Sequence, residues 1–592
     1  MKKTSFTISH VSFATCFLLF AFCFSPSLSY AQSWQSKVHP SVFTQFQSQT
    51  EVEIIVLMRE QADVSGADRL ATKEEKGTFV FNILRGTAER SQTGIQQLLN
   101  AQNKRFQSFW VVNSLYLKAN FDLIKQIAER DDVVEVMNNP HAKLSLLPDL
   151  TLPQPEGIVI TWGIKKIRAD SVWALGYRGQ NVVIGGEDTG YEWTHPALKP
   201  KYRGWNTTTS VADHNYSWHD AIHPDSVTAS NPCGTNAAAP CDDHNHGTHT
   251  MGTMTGAFDT LLIGVAPNAR WIGARNMDRG DGTLARYVEC FEFFIAPTNL
   301  GGQLPKPTLA PHVINNSWSC PTSEGCNSSN FAVMNAAVKA VRAAGIVPVI
   351  SAGNSGPSCS SVNAPPATHA PGFAVGATQS NDTIAGFSSR GPVTVDSSNR
   401  LKPDISAPGV GVYSSIRNGN YASYNGTSMA GPHVAGVVAL MISANPKLAG
   451  QVDTIESIIK RTALRLTSAE NCGNVLGTAV PNNTYGYGRI DALSAVIEGL
   501  KYKPSAIKNI DNQTVVQVYP NPFSSEITFY TEGISGEVLI QIFNANGQNV
   551  YSKKENFTLK NRTSLSLPNV PMGVYFYTIQ NEKVILTGKM VK

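Results

Sequence analysis

One stretch constrains this chain more than any other: Tyr424-Asn425-Gly426-Thr427-Ser428-Met429-Ala430-Gly431-Pro432-His433-Val434-Ala435-Gly436. Ser428 stands among small residues at the head of an apolar run that continues as Val437-Val438-Ala439-Leu440-Met441. The run reads as a buried, tightly packed helix with a hydroxyl at its start. At a helix N-terminus the unpaired N–H groups carry partial positive charge, which favours negative charge developing on that oxygen.

A lone serine decides nothing, but its upstream company is ordered. The strand-like run Asn181-Val182-Val183-Ile184-Gly185-Gly186 ends at Glu187-Asp188-Thr189-Gly190. Asp188 therefore sits at the carboxyl end of a strand, where open α/β sheets build their sites. Asp243-His244-Asn245-His246-Gly247-Thr248-His249 follows. The chain order aspartate, histidine, serine differs from that of chymotrypsin and of the α/β-hydrolases. The hydrolase elbow Gly-x-Ser-x-Gly is also broken, because Ala430 replaces its second glycine.

Asp188-Thr189-Gly190, His246-Gly247-Thr248-His249 and Gly426-Thr427-Ser428-Met429-Ala430 resemble the three signature blocks of the subtilisin-like serine proteases. Val347-Pro348-Val349-Ile350-Ser351-Ala352-Gly353-Asn354 resembles the strand and turn that carry that family's oxyanion asparagine. Cysteine-bearing segments around Ser317-Trp318-Ser319-Cys320 and Ser323-Glu324-Gly325-Cys326 look closest to the bacillopeptidase F-like branch. The resemblance covers roughly residues 161–500. It implies an α/β fold, a largely parallel sheet with helices on both faces, and a secreted serine endopeptidase.

Peptide hydrolysis needs a nucleophile, a base that returns its proton to the leaving amine, and donors for the oxyanion. In the subtilisin-like assignment Ser428 attacks, His246 carries the proton, Asp188 orients the imidazole, and Asn354 with the Ser428 N–H holds the oxyanion. Ser317-Trp318-Ser319 and Gly280-Asp281-Gly282 resemble the two strands that sandwich an extended peptide by β-augmentation. Trp318 and Ser319 depart from the smaller apolar residue and the glycine usual there, so side-chain preference does not carry over. His244, His246 and His249 with Asp242 and Asp243 also admit a metal-cluster reading. His249 and His433 match positions the family fills without using them in catalysis, which favours packing, and Asp404 resembles a structural turn. Calcium is common in the family, but no carboxylate-rich loop locates a site, and no cofactor is identified.

Flanking segments set the organisation. Met1-Lys2-Lys3, an apolar stretch over 13–24 and Ser29-Tyr30-Ala31 read as a secretory signal peptide over 1–31. A membrane anchor is disfavoured because the apolar core is short, and no later stretch reads as apolar enough to span a bilayer. Residues 32–150 show the order strand, helix, two strands, helix, strand, which is ferredoxin-like. The helical region is expected over 72–103, and the two strands meet near Asn113. Ahead of residues 151–500 this segment resembles the family's propeptide, an intramolecular inhibitor. Its cut is expected between Asn138 and Glu156, in a linker bearing Pro140, Pro148, Pro153 and Pro155. After a linker over 501–515, residues 516–592 alternate in short runs as a small β-sandwich. Tyr519-Pro520-Asn521-Pro522 and the basic end at Lys589 and Lys592 resemble a type IX secretion sorting domain that engages the secretion machinery; a carbohydrate-binding or adhesion module is the alternative.

The signal leaves seven cysteines, and their spacing favours pairing Cys233 with Cys241 and Cys320 with Cys326. Cys290, Cys359 and Cys472 stay unassigned. A net charge of +4 in 592 residues gives no support to a nucleic-acid or membrane-surface partner. The rivals to a protease are a non-catalytic surface adhesion protein on a protease scaffold and an esterase using the same residues.

Overall fold

The computed structural model describes residues 34–144, 159–224, 231–503, 515–545, 547–581 and 585–592. The expected signal peptide and most of the linker after the last helix lie outside the described residues. The chain divides into two compact units, Met1–Tyr502 and Lys503–Lys592.

The first unit is built on a seven-stranded sheet in the order Trp218–Asp220, Arg270–Arg275, Val183–Asp188, Val313–Asn316, Val347–Ser351, Phe373–Thr378, Ile405–Pro408. Every neighbouring pair is parallel, so both faces must be covered by helices. Strand alternation divides the apolar residues between two cores. Val313, Val349 and Val375 pack with the helices His246–Thr255 and Thr427–Ala444. Ile314, Ile350 and Ala374 pack with Leu284–Ile295 and Ser328–Ala343 on the other face. Thr427–Ala444 is long and apolar enough to cross a membrane. The expectation that no such stretch exists beyond the signal is thus corrected on composition, although this helix is buried through Ile442 in the sheet core.

Residues before 144 form a four-stranded antiparallel sheet in the order Phe106–Phe109, Ser114–Ala119, Val52–Met58, Val133–Asn138, with the ferredoxin-like connectivity expected. The helical region expected over 72–103 holds two helices, Lys73–Ser91 and Thr93–Ala101. Gln92 sits between them, fully buried, and its side-chain amide donates to the carbonyl of Phe109 (2.9 Å) and to Asn113 Oδ1 (2.8 Å). This subdomain shares a core with the sheet it precedes: Val80, Leu84, Phe109 and Val111 lie in one apolar cluster with Phe291 and Val338.

The second unit is all-β. Three strands (Val515–Tyr519, Glu526–Glu532, Lys560–Ser566) form one sheet, and four (Asn549–Phe557, Gly536–Asn544, Val574–Gln580, Ile585–Val591) form the other. Alternate residues Val538, Ile540 and Ile542 turn into their common core, where Phe529 of the first sheet meets Tyr577 of the second edge-on at 5.0 Å.

Disulfides join Cys233 to Cys241 and Cys320 to Cys326, as their spacing suggests, and Cys359 to Cys472; Cys290 is a buried free thiol. The Cys359–Cys472 bridge closes a separation of 113 residues against 6 for Cys320–Cys326. Loop-closure entropy scales with the logarithm of that separation, giving roughly 5 against about 2 kcal/mol. Replacing Cys359 and Cys472 by serine should therefore lower the denaturant midpoint distinctly more than replacing Cys320 and Cys326. Equal shifts in chemical unfolding would contradict this.

Candidate active site

The parallel sheet delivers its carboxyl ends to one edge, and the chemistry collects there. Asp188 is the last residue of its strand and is 1% exposed. Its Oδ1 lies 2.7 Å from His246 Nδ1 and accepts from the Thr189 N–H at 2.8 Å. His246 opens its helix, after Asn245 in the left-handed region at φ 94°. Close approach requires Gly247, since a Cβ there would stand 2.0 Å from the Gly190 carbonyl oxygen. Asp242 ties the turn together: its two oxygens accept from the N–H groups of His244, Asn245 and Thr248 and from the hydroxyls of Thr189 and Thr248.

Ser428 is the second residue of Thr427–Ala444, which packs along the helix begun by His246. Pro432 lies inside this helix. Lacking an N–H, it leaves the Ser428 carbonyl without its helical donor, and the Ser317 hydroxyl supplies one at 3.1 Å. The Ser428 hydroxyl in turn donates to the Ser317 carbonyl at 3.3 Å. The nucleophile candidate is thus anchored to the strand extension beside it, and its proton points to Ser317 rather than to an imidazole.

Asn354 follows the strand Val347–Ser351. Its Oδ1 accepts from the Thr427 N–H (2.9 Å) and the Thr427 hydroxyl (2.8 Å). That fixes the amide's orientation and turns its NH₂ group away from Thr427, leaving it to donate elsewhere. Asn354, Thr427, Ser428, Ser317, Trp318 and Ser319 line one cavity of about 230 Å3. Early backbone N–H groups of a helix have no intrahelical acceptor, so the Ser428 N–H and the Asn354 NH₂ are two donors at one cavity.

His249 and His433 are engaged in packing. His249 is fully buried, stacks on Tyr424 at 4.4 Å, and bonds through Nε2 to the carbonyls of Val412 (2.9 Å) and Ala422 (3.2 Å). Burial, with the nearby His246, pushes its imidazole down to about 3, so it is neutral. His433 bonds the Met429 carbonyl at 2.9 Å, and burial lowers it to about 4. Lys402 and Lys460 flank Asp404 in a structural ion cluster. Among the described residues no group of three or more His, Cys, Asp or Glu side chains is arranged to hold a metal ion.

Among the described residues, one of the two expected peptide-binding strands carries a ladder. Asp281–Thr283 pairs antiparallel with His141–Lys143, and the Gly280 carbonyl accepts from the Leu144 N–H at 2.7 Å. Ala142, Lys143 and Leu144 line the same cavity as Ser428 and Asn354. The start of the stretch expected to be a free linker is therefore a docked strand, because Asp281–Thr283 offers unpaired backbone groups that an extended segment satisfies. From residue 145 to 158 the chain lies outside the described residues. Sequence reasoning gave no role to Thr427 or Pro432, read Asp242 only as a candidate metal ligand, and read 141–144 only as linker. Thr427 and Pro432 stood inside the quoted serine block; the docked strand has no local signature.

Residues 179–488 match the model of the subtilase family, and residues 517–592 match a secretion system C-terminal sorting domain. Bacillopeptidase F of Bacillus subtilis (strain 168) is 35% identical over 507 residues, covering 80% of this chain and 33% of its own length. Subtilisin DY of Bacillus licheniformis is 34% identical over 292 residues, 49% of this chain and 86% of its own. Alkaline protease of Alkalihalobacillus alcalophilus is 30% identical over 338 residues, 57% of this chain and 70% of its own. The chain thus spans about a third of the length of Bacillopeptidase F, and most of Subtilisin DY. It belongs to the subtilase family of serine endopeptidases. Its C-terminal sorting domain marks it for type IX export, as a secreted or cell-surface protein.

Proposed function

We propose that the protein hydrolyses peptide bonds of protein substrates outside the cell, with Ser428 as nucleophile, His246 as general base and acid, and Asp188 as the orienting carboxylate. The buried 2.7 Å bond between Asp188 and His246 Nδ1 carries this reading. It sets the tautomer that leaves Nε2 as an acceptor. Rotation about the Ser428 side chain moves its proton from the Ser317 carbonyl towards Nε2, and the oxygen attacks the scissile carbon. The Asn354 amide and the Ser428 N–H then hold the oxyanion. His246 returns the proton to the leaving amine, and water repeats the sequence on the acyl-enzyme. Nothing in this reading calls for an adhesion role of the scaffold.

The ferredoxin-like subdomain acts as propeptide and intramolecular inhibitor in the same reading. His141–Lys143 occupies the strand position a substrate would take, which supports a cut within a few residues after Leu144. The division is then signal peptide 1–31, propeptide 32–150, catalytic domain 151–500, linker 501–515 and sorting domain 516–592.

Ser428→Ala should reduce kcat by a factor on the order of 10⁶ and leave the precursor uncut, and Asn354→Ala should cost about 10² to 10³; both ranges are those known for subtilisin itself. Casein turnover and N-terminal sequencing check this: wild-type activity in Ser428→Ala ends the assignment, and normal processing of that variant means another protease makes the cut.

The cleaved propeptide should let go more readily in alkali. Hydrogen bonds to Asp281 and then to Glu53 hold His141 up to about 9. The bond to Asp281, 2.8 Å from His141 Nδ1, is the one made across to the catalytic side, so His141 binds its proton more tightly in the complex than in the released propeptide. That contribution is complete at low pH and is lost as pH rises through about 9. Dissociation of the cleaved complex, followed by activity, should rise from pH 7 to 10. His141→Ala should flatten that rise, and a complex that tightens over this range would contradict it.

A further inference from the structure

Besides the strand in the cleft, the ferredoxin-like subdomain grips the catalytic unit at a second place. Its helix Lys73–Ser91 begins with a capping box of Thr72 and Glu75, which fixes the first turn by local bonds. Lys73 and Lys76, three residues apart, share one face of that turn. Lys73 is 2% exposed, and its ammonium donates to the Ala310 carbonyl at 2.7 Å. The Lys76 ammonium donates to the Gly450 carbonyl at 2.9 Å, and the Gln451 side-chain amide donates back to the Ala71 carbonyl at 2.9 Å.

The two backbones touch there. Gly450 has φ 80°, which glycine adopts without strain, and a Cβ on it would stand 3.0 Å from the Lys73 nitrogen and Cα. On the other side a Cβ on Gly77 would lie 3.6 Å from the Pro307 carbonyl oxygen and 3.8 Å from that of Ala344. Ala310 leads into the strand Val313–Asn316, and Ala344 into Val347–Ser351, so this seat lies at the amino edge of the sheet. Asp188, Asn354 and Ser428 collect at the opposite edge. The helix Thr427–Ala444 spans the two: at 1.5 Å per residue Ala444 is about 24 Å from Ser428 along the axis, and Gly450 comes after it.

We propose that the residues around Ala310, Ala344, Gly450 and Gln451 form a second docking surface for the propeptide, which takes the lysine-bearing start of its helix and holds it on the enzyme after the cut, independently of the strand in the cleft. The inference rests on the propeptide reading and deepens it: the cleft strand decides inhibition, and this surface decides residence. A cut after Leu144 separates neither Lys73 nor Lys76 from its carbonyl. An ammonium offers donors and no acceptor, so a seat built of two carbonyls suits lysine. While both bonds hold, residues 141–144 compete with substrate as a tethered ligand, at an effective concentration set by the tether and not by free propeptide. Substrate can therefore displace the strand without expelling the subdomain.

The test uses the full chain, matured by its own cut and purified as the cleaved complex, so that variants on the propeptide side leave the mature enzyme unaltered. A serine-directed peptidyl phosphonate then fills the cleft. Labelled wild-type enzyme should retain the propeptide through size-exclusion chromatography, as read by mass spectrometry. Lys73→Ala and, separately, Lys76→Ala should speed loss of the propeptide by about tenfold or more, the scale of one charged hydrogen bond, while kcat/KM of the released enzyme on casein stays unchanged. The second variant stands if the first fails to fold. Labelled wild-type enzyme that elutes without propeptide overturns the proposal, as does an unchanged rate of loss in every variant that matures. If casein is hydrolysed with residues 34–144 still covalently attached, the propeptide reading fails and the proposal with it.

Discussion

The Asp188–His246 hydrogen bond is the constraint on which the rest of the site depends. Two buried groups from separate elements meet at 2.7 Å only because a parallel strand ends where a helix begins. Gly190 and Gly247 provide the approach: a Cβ on either would stand within 2.0 Å of a backbone oxygen. Asp242 then secures the turn between them. A buried carboxylate paired this way is costly to disturb, so the sheet, the glycines and the helix start are coupled.

A second coupling runs through Ser428. Proline inside a helix is ordinarily a defect, but Pro432 frees the Ser428 carbonyl and so admits the Ser317 hydroxyl. The hydroxyl of Ser428 returns the contact to the Ser317 carbonyl. The proposed nucleophile is thereby tied to the segment that also carries Trp318. In the proposed reading the nucleophile's position and the shape of the cleft depend on the same backbone.

Much of this was legible in the sequence, and physical reasons separate what was from what was not. Asp188, His246, Asn354 and Ser428 stand in short blocks whose glycines and small residues are demanded by local backbone approach, so the residues and their surroundings can be read together. Alternation in 538–542 and the apolar run after Ser428 likewise declare their elements locally. The break at Gln92 was hidden because its cause is tertiary: the amide bonds to Phe109 and Asn113. Cys359 and Cys472 are brought together across 113 residues by the fold alone. The docking of 141–144 looked like linker because an isolated strand acquires its partner only in three dimensions.

The central claim is that Ser428 is a nucleophile activated by His246. Labelling the mature enzyme with a serine-directed phosphonate, followed by peptide mapping, tests it most directly. The account predicts stoichiometric modification at Ser428 and its loss in His246→Ala. Modification at another serine, or labelling of Ser428 at an unchanged rate without His246, would contradict it.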